Sequence, residues 1–135
     1  MNDCLFCKII KGEIPSNKVY EDDNVFAFLD INPINPGHVL VAPKNHCENM
    51  LDCSEDDLKA MITVVPRIAK AVMKAFDYPA FNLGVNNGSQ ANQLVPHLHF
   101  HIMPRCDGDG HELFKGKASN SEELSEVAEK IKELL

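Results

Sequence analysis

Apolar residues along the chain change their period several times, and each change marks an element. The longest regular stretch is Leu58, Met61, Ile62, Val65, Ile68, Ala69, Val72, Met73 and Phe76, at steps of one, three and four residues. That spacing places a single apolar stripe on a helix. Ser54, followed by Asp57, resembles a capping box and predicts the start. The helix is expected to run to about Phe76, kinked at Pro66, whose nitrogen carries no hydrogen. A second stripe of Leu124, Val127, Ala128, Ile131 and Leu134 predicts an amphipathic C-terminal helix. "CLFCKIIKG" reads as one or two helical turns closed at Gly12.

Between the helices the pattern shortens to β-branched and aromatic runs: residues 19–20, 25–29, 38–43, 80–86 and 96–104. "EDDN" and "INPINPG" supply turn residues. "NGSQANQ" and "DGDGHELFKGKA" read as loops, with His111 expected to be exposed. Strands and helices do not alternate. The fold class expected is α+β: a mainly antiparallel sheet of about five strands, a long crossover helix and a C-terminal helix. No repeat or linker divides the chain, so residues 1–135 are expected to form one domain.

Composition narrows the partners. The formal charge is −7, without a basic footprint, so a nucleic-acid polymer is not expected. No apolar run approaches the roughly 18 residues of a spanning helix, and "MNDCLFCKIIKGE" lacks the pattern of a signal peptide. A soluble, cytoplasmic protein is expected, with no membrane partner. The five cysteines are odd in number and argue against a disulfide framework. Cys4 and Cys7 form C-x-x-C; Cys47, Cys53 and Cys106 show no evident partners.

Candidate chemistry concentrates in "PHLHFHIMP". In a strand His97, His99 and His101 share one face, and Leu98, Phe100 and Ile102 share the other. Same-face histidines can bind one metal. Alternatively one acts as a nucleophile and another handles a leaving group's proton.

With "CLFCKIIKGEIPS", "VYEDD", "AFLDI", "PGHVLVAPKNH" and "NNGS", this stretch resembles the histidine triad (HIT) superfamily of nucleotide hydrolases and transferases. The family motif, His-φ-His-φ-His-φ-φ with φ apolar, is filled without a gap by residues 97–103. The resemblance implies a hydrolase of nucleoside phosphoramidates or dinucleotides. His99 would attack the α-phosphorus, forming a covalent nucleotidyl-histidine that water resolves to a nucleoside monophosphate such as AMP. The carbonyl of His97 would hold the Nδ1–H of His99, and His101 would assist the leaving group. Gln93 would bond the phosphate or bridging atom, Asn86 the phosphate–ribose region, and Asp30 the ribose hydroxyls. Phe6, Ile9, Phe28 and Ile31 would line the base pocket. The resemblance also implies a structural zinc on Cys4, Cys7, His46 and His97, a supporting role for His38, and a homodimer. Leu94 departs from relatives that carry a polar side chain there. Two competing readings are a purine-nucleotide binding or sensor module with little turnover, and a hydrolase that uses all three histidines on one metal.

Overall fold

The computed structural model describes residues 3–135. Its elements are α1 (Leu5–Ile10), β1 (Lys18–Glu21), β2 (Val25–Leu29), β3 (Val39–Pro43), α2 (Glu55–Phe76), β4 (Ala80–Val85), β5 (Phe100–Arg105) and α3 (Ser121–Lys132). The five strands form one sheet in the order β1-β2-β3-β5-β4, antiparallel throughout. The expected α+β architecture is therefore the observed one, with α2 as the crossover between β3 and β4.

Ser54 caps α2 by accepting from the Asp57 N–H at 3.1 Å. The helix runs continuously through Pro66, which lies among its exposed positions. Its stripe packs on one face of the sheet. There Met61, Val65, Ile68 and Val72 meet Val25, Ala27, Val39, Val41, Leu98, Phe100 and Ile102. The opposite face carries a smaller core, in which Phe6 and Ile9 of α1 pack with Phe26, Phe28 and Leu40. Period-two alternation along β2 and β3 thus feeds two cores from one sheet.

Two sequence expectations change. Pairing in the histidine stretch begins only at Phe100, so His97 and His99 precede β5 and only His101 is in the ladder, opposite Leu40 and Gly84. Leu98, Phe100 and Ile102 still alternate into the α2 core, although residues 95–97 form a bend and pairing starts only at Phe100. The C-terminal helix forms, capped by Asn120, but none of its residues is buried.

Gly37 shows how the turn before β3 is built. Its φ is +95°, and an added Cβ would sit 2.9 Å from Cγ1 of Val72. Gly37→Ala is expected to cost at least about 1–2 kcal/mol, from the left-handed backbone alone, read as a lower urea midpoint at unchanged slope.

Candidate active site

His97, His99 and His101 acquire three different environments. His97 is fully buried. Its Nε2–H donates to the Pro43 carbonyl at 2.8 Å. Nδ1 is then a lone pair, and it faces Cys4 Sγ at 3.3 Å, Cys7 Sγ at 3.5 Å and His46 Nδ1 at 3.1 Å. Cys7 Sγ also lies 3.4 Å from His46 Nδ1. The four donor atoms fall within 4.8 Å of one another. Tetrahedral zinc, with bonds of about 2.3 Å to sulfur and 2.0–2.1 Å to nitrogen, sets neighbouring donors roughly 3.3–3.8 Å apart. Two thiols and two imidazoles at these spacings fit such an ion. The Pro43 carbonyl supplies the outer bond that fixes a ligating histidine's ring.

His99 is buried beside α1, its ring edge-on to Phe6 with centroids 4.9 Å apart. Its Nδ1–H donates to the His97 carbonyl at 2.7 Å. That bond fixes the tautomer and leaves the Nε2 lone pair free. Burial lowers the pKa of His99 and favours the neutral, nucleophilic form; the bond to His97 and the charge of Asp30 oppose it.

His101 is oriented through His38. The Ile34 N–H donates to His38 Nδ1 at 3.1 Å. In neutral His38 the proton is therefore on Nε2, which lies 2.9 Å from His101 Nδ1 and donates to it. The single N–H of neutral His101 is then on Nε2. That atom is the one buried side-chain polar atom without a partner among the described residues. Burial, followed by the neighbouring His99 and His38, brings the His101 pKa down to about 4, against the pull of Asp30. His101, which lines the pocket, thus carries an unpaired and buried N–H. Asp30, His38 and His101 also cluster closely enough to suggest a cation. The hydrogen on His38 Nε2 occupies the lone pair such an ion needs.

A pocket of about 280 Å³ opens over this group. Phe6, Ile9, Phe28, Leu40 and Val95 contribute to its apolar wall; Asp30, Asn86, His99 and His101 are among its polar residues. Asp30 Oδ1 accepts from the Asn32 N–H at 2.8 Å. Ile31 lines the pocket but is 87% exposed, a rim residue and not part of an enclosed wall. Leu94, 91% exposed, stands on the rim as well. Asn86 Nδ2 donates to the Asn92 carbonyl at 3.3 Å.

Gln93 departs from its expected place. Its Oε1 accepts from the Gly88 N–H at 2.8 Å, and its Nε2 donates to the carbonyls of Glu48 at 2.6 Å and Val95 at 3.1 Å. It is buried and does not line the pocket. Here it braces the 88–95 loop, and turning to a phosphate would break these bonds. The exposed His111 is engaged too, donating from Nε2 to the Ile34 carbonyl at 2.7 Å. Nothing in its Gly/Asp-rich surroundings marks that long-range contact.

The HIT domain family model matches residues 11–108. Among curated relatives, an uncharacterized HIT-like protein of Methanocaldococcus jannaschii is 47% identical over 96% of this chain and 98% of its own. Adenosine 5'-monophosphoramidase HNT1 of Candida albicans is 38% identical over 98% of this chain and 91% of its own. Adenylylsulfatase HINT3 of Arabidopsis thaliana is 46% identical over 80% of this chain and 55% of its own. A crystal structure of a HIT family member from Bacillus subtilis superposes with a TM-score of 0.90 at 42% identity, covering 98% of this chain and 97% of that one. A zinc-bound histidine triad protein from Mycobacterium smegmatis gives 0.79 at 35% identity, covering 87% and 85%.

Proposed function

This chain belongs to the HIT domain family, and from that premise we propose that it is a nucleotide hydrolase cleaving a nucleoside 5′-phosphoramidate at the α-phosphorus. The carrying observation is the His99–His97 bond of 2.7 Å, which leaves the His99 Nε2 lone pair at an apolar pocket. Relatives named for phosphoramidate and adenylylsulfate cleavage support hydrolysis of an adenylyl compound, one at a P–N bond and the other at a sulfate anhydride.

In the first step, the Nε2 lone pair of His99 forms a bond to phosphorus while the bond to the leaving nitrogen breaks. The leaving group keeps the bonding pair and takes the proton from His101 Nε2. In the second, water attacks the same phosphorus, His101 Nε2 accepts its proton, and the phosphorus–His99 bond breaks to release the nucleoside monophosphate. The substrate base would lie against Phe6, Ile9 and Phe28, with Asp30 accepting from the ribose hydroxyls. Asp30→Asn is expected to raise KM about tenfold with a smaller change in kcat, as a predominantly binding role requires; steady-state kinetics measure the split.

We also propose that Cys4, Cys7, His46 and His97 hold a structural zinc, which would tie α1 to the histidine stretch, and that the protein works as a homodimer. Sedimentation velocity tests the latter: a monomer at micromolar concentration contradicts it.

The engagement of Gln93 and the apolar Leu94 favour a second reading, a nucleotide sensor with little turnover. Adenosine 5′-phosphoramidate separates the two. Release of AMP that disappears with His99→Ala supports the hydrolase. Tight AMP binding by calorimetry, without turnover above that variant, supports the sensor.

A further inference from the structure

We propose that Asp109 and His111 are positioning residues that set the tautomer of His38, and through it the proton on His101. Both lie past residue 108, where the family match ends.

Asp109 organises the turn after β5. Its side chain is 5% exposed. One carboxylate oxygen accepts from Arg105 Nε at 2.7 Å and Asn35 Nδ2 at 3.0 Å. The other accepts from Arg105 Nη2 at 2.9 Å and the His111 N–H at 3.1 Å. Arg105 Nη2 also donates to the His111 carbonyl at 2.7 Å. His111 is thereby held so that its Nε2–H reaches the Ile34 carbonyl at 2.7 Å. Asn35 is tied down separately, through Nδ2, to the Pro104 carbonyl at 2.9 Å. Residues 34 and 35 are thus fixed from outside their own loop.

What they fix is a proton donor. The Ile34 N–H is the group that makes His38 Nδ1 an acceptor. Two tautomers of a neutral imidazole are close in energy, so the surrounding hydrogen bonds select between them. If Ile34 drifts, His38 can carry its proton on Nδ1. Its Nε2 then becomes an acceptor, and His101 must donate to it from Nδ1 across the 2.9 Å contact. His101 Nε2 would present a lone pair to the pocket where a leaving group needs a hydrogen. No side chain leaves the pocket; each of the two imidazoles keeps one proton, carried on the other nitrogen.

The functional consequence rests on the hydrolase reading; the tautomer itself does not. His111→Ala removes the donor at an exposed position, and His111→Gln restores an amide N–H of similar reach. With adenosine 5′-phosphoramidate, His111→Ala is expected to lower kcat about tenfold or more, part of the roughly 10²–10⁴ that general acid catalysis supplies. KM should stay within about threefold, and His111→Gln should recover most of the loss. Side-chain ¹⁵N shifts of His38 and His101 should move towards the opposite tautomers in His111→Ala and return in His111→Gln. Wild-type shifts in His111→Ala overturn the proposal, whatever happens to kcat, because a rate loss without a tautomer change is only structural damage. If the wild-type protein turns over no phosphoramidate, the shifts still decide the positioning role, and the hydrolase reading fails separately.

Discussion

His99→Ala is expected to lower kcat for adenosine 5′-phosphoramidate by about four orders of magnitude or more, the scale seen when a covalent nucleophile is removed. The expectation follows from the division of labour among the histidines. His97 has one nitrogen on the Pro43 carbonyl and the other among Cys4, Cys7 and His46, so neither is free to attack. His101 accepts through Nδ1 and carries its proton on Nε2. Only His99 combines a fixed Nδ1–H with a free Nε2 lone pair at the pocket. The remaining groups still bind nucleotide, so AMP affinity by calorimetry should change far less than kcat. Far-UV circular dichroism should be unchanged, since His99 lies outside the strand ladder. A His99→Ala protein that retains a tenth of wild-type kcat would remove His99 from the chemistry.

Cys4→Ser is expected to abolish stoichiometric zinc binding, measured by plasma mass spectrometry on protein purified with zinc. It should also lower Tm by about 10 °C, roughly 2–3 kcal/mol for a domain of this size. Cys4 joins α1 to the histidine stretch. It caps α1 by accepting from the Cys7 N–H at 3.3 Å, it faces the buried His97, and α1 carries the Phe6 ring that packs on His99. Losing the ion would leave His97 Nδ1 buried and unpaired, and would free the carbonyl that orients His99. Activity should therefore fall with metal content, and chelation of the wild-type protein should reproduce both losses. Full zinc retention by Cys4→Ser would place the ion elsewhere. Loss of zinc with unchanged Tm would deny it a structural role.

These expectations were readable from sequence to different depths, for physical reasons. The α2 stripe and the alternation at Leu98, Phe100 and Ile102 are periodic, and periodicity is what a buried face imposes. The Cys4–Cys7 spacing on a helical turn brings both thiols to one place. Loops carry no such period, and there the sequence says less about which atoms meet. Gln93 sits at the spacing expected of a phosphate ligand, yet three backbone groups of the 44–95 region claim its amide. Ile31 lines the pocket as its sequence context implies, but at the exposed rim, a position that a loop and not a strand sets. His111 is exposed, as its loop context implies. Its contact with Ile34 spans 77 positions and depends on the Arg105–Asp109 turn. The C-terminal helix shows the limit of an amphipathic pattern: it predicts the helix but not the surface that covers it.

The most direct test of the central claim is rapid-quench mass spectrometry during turnover of adenosine 5′-phosphoramidate, with peptide mapping of the quenched protein at neutral or alkaline pH. The covalent route requires a transient gain of one adenylyl group, located on His99 and absent from His99→Ala. An adenylyl group on any other residue, or ongoing turnover with inversion at a chiral phosphorothioate substrate and no adduct, would contradict it.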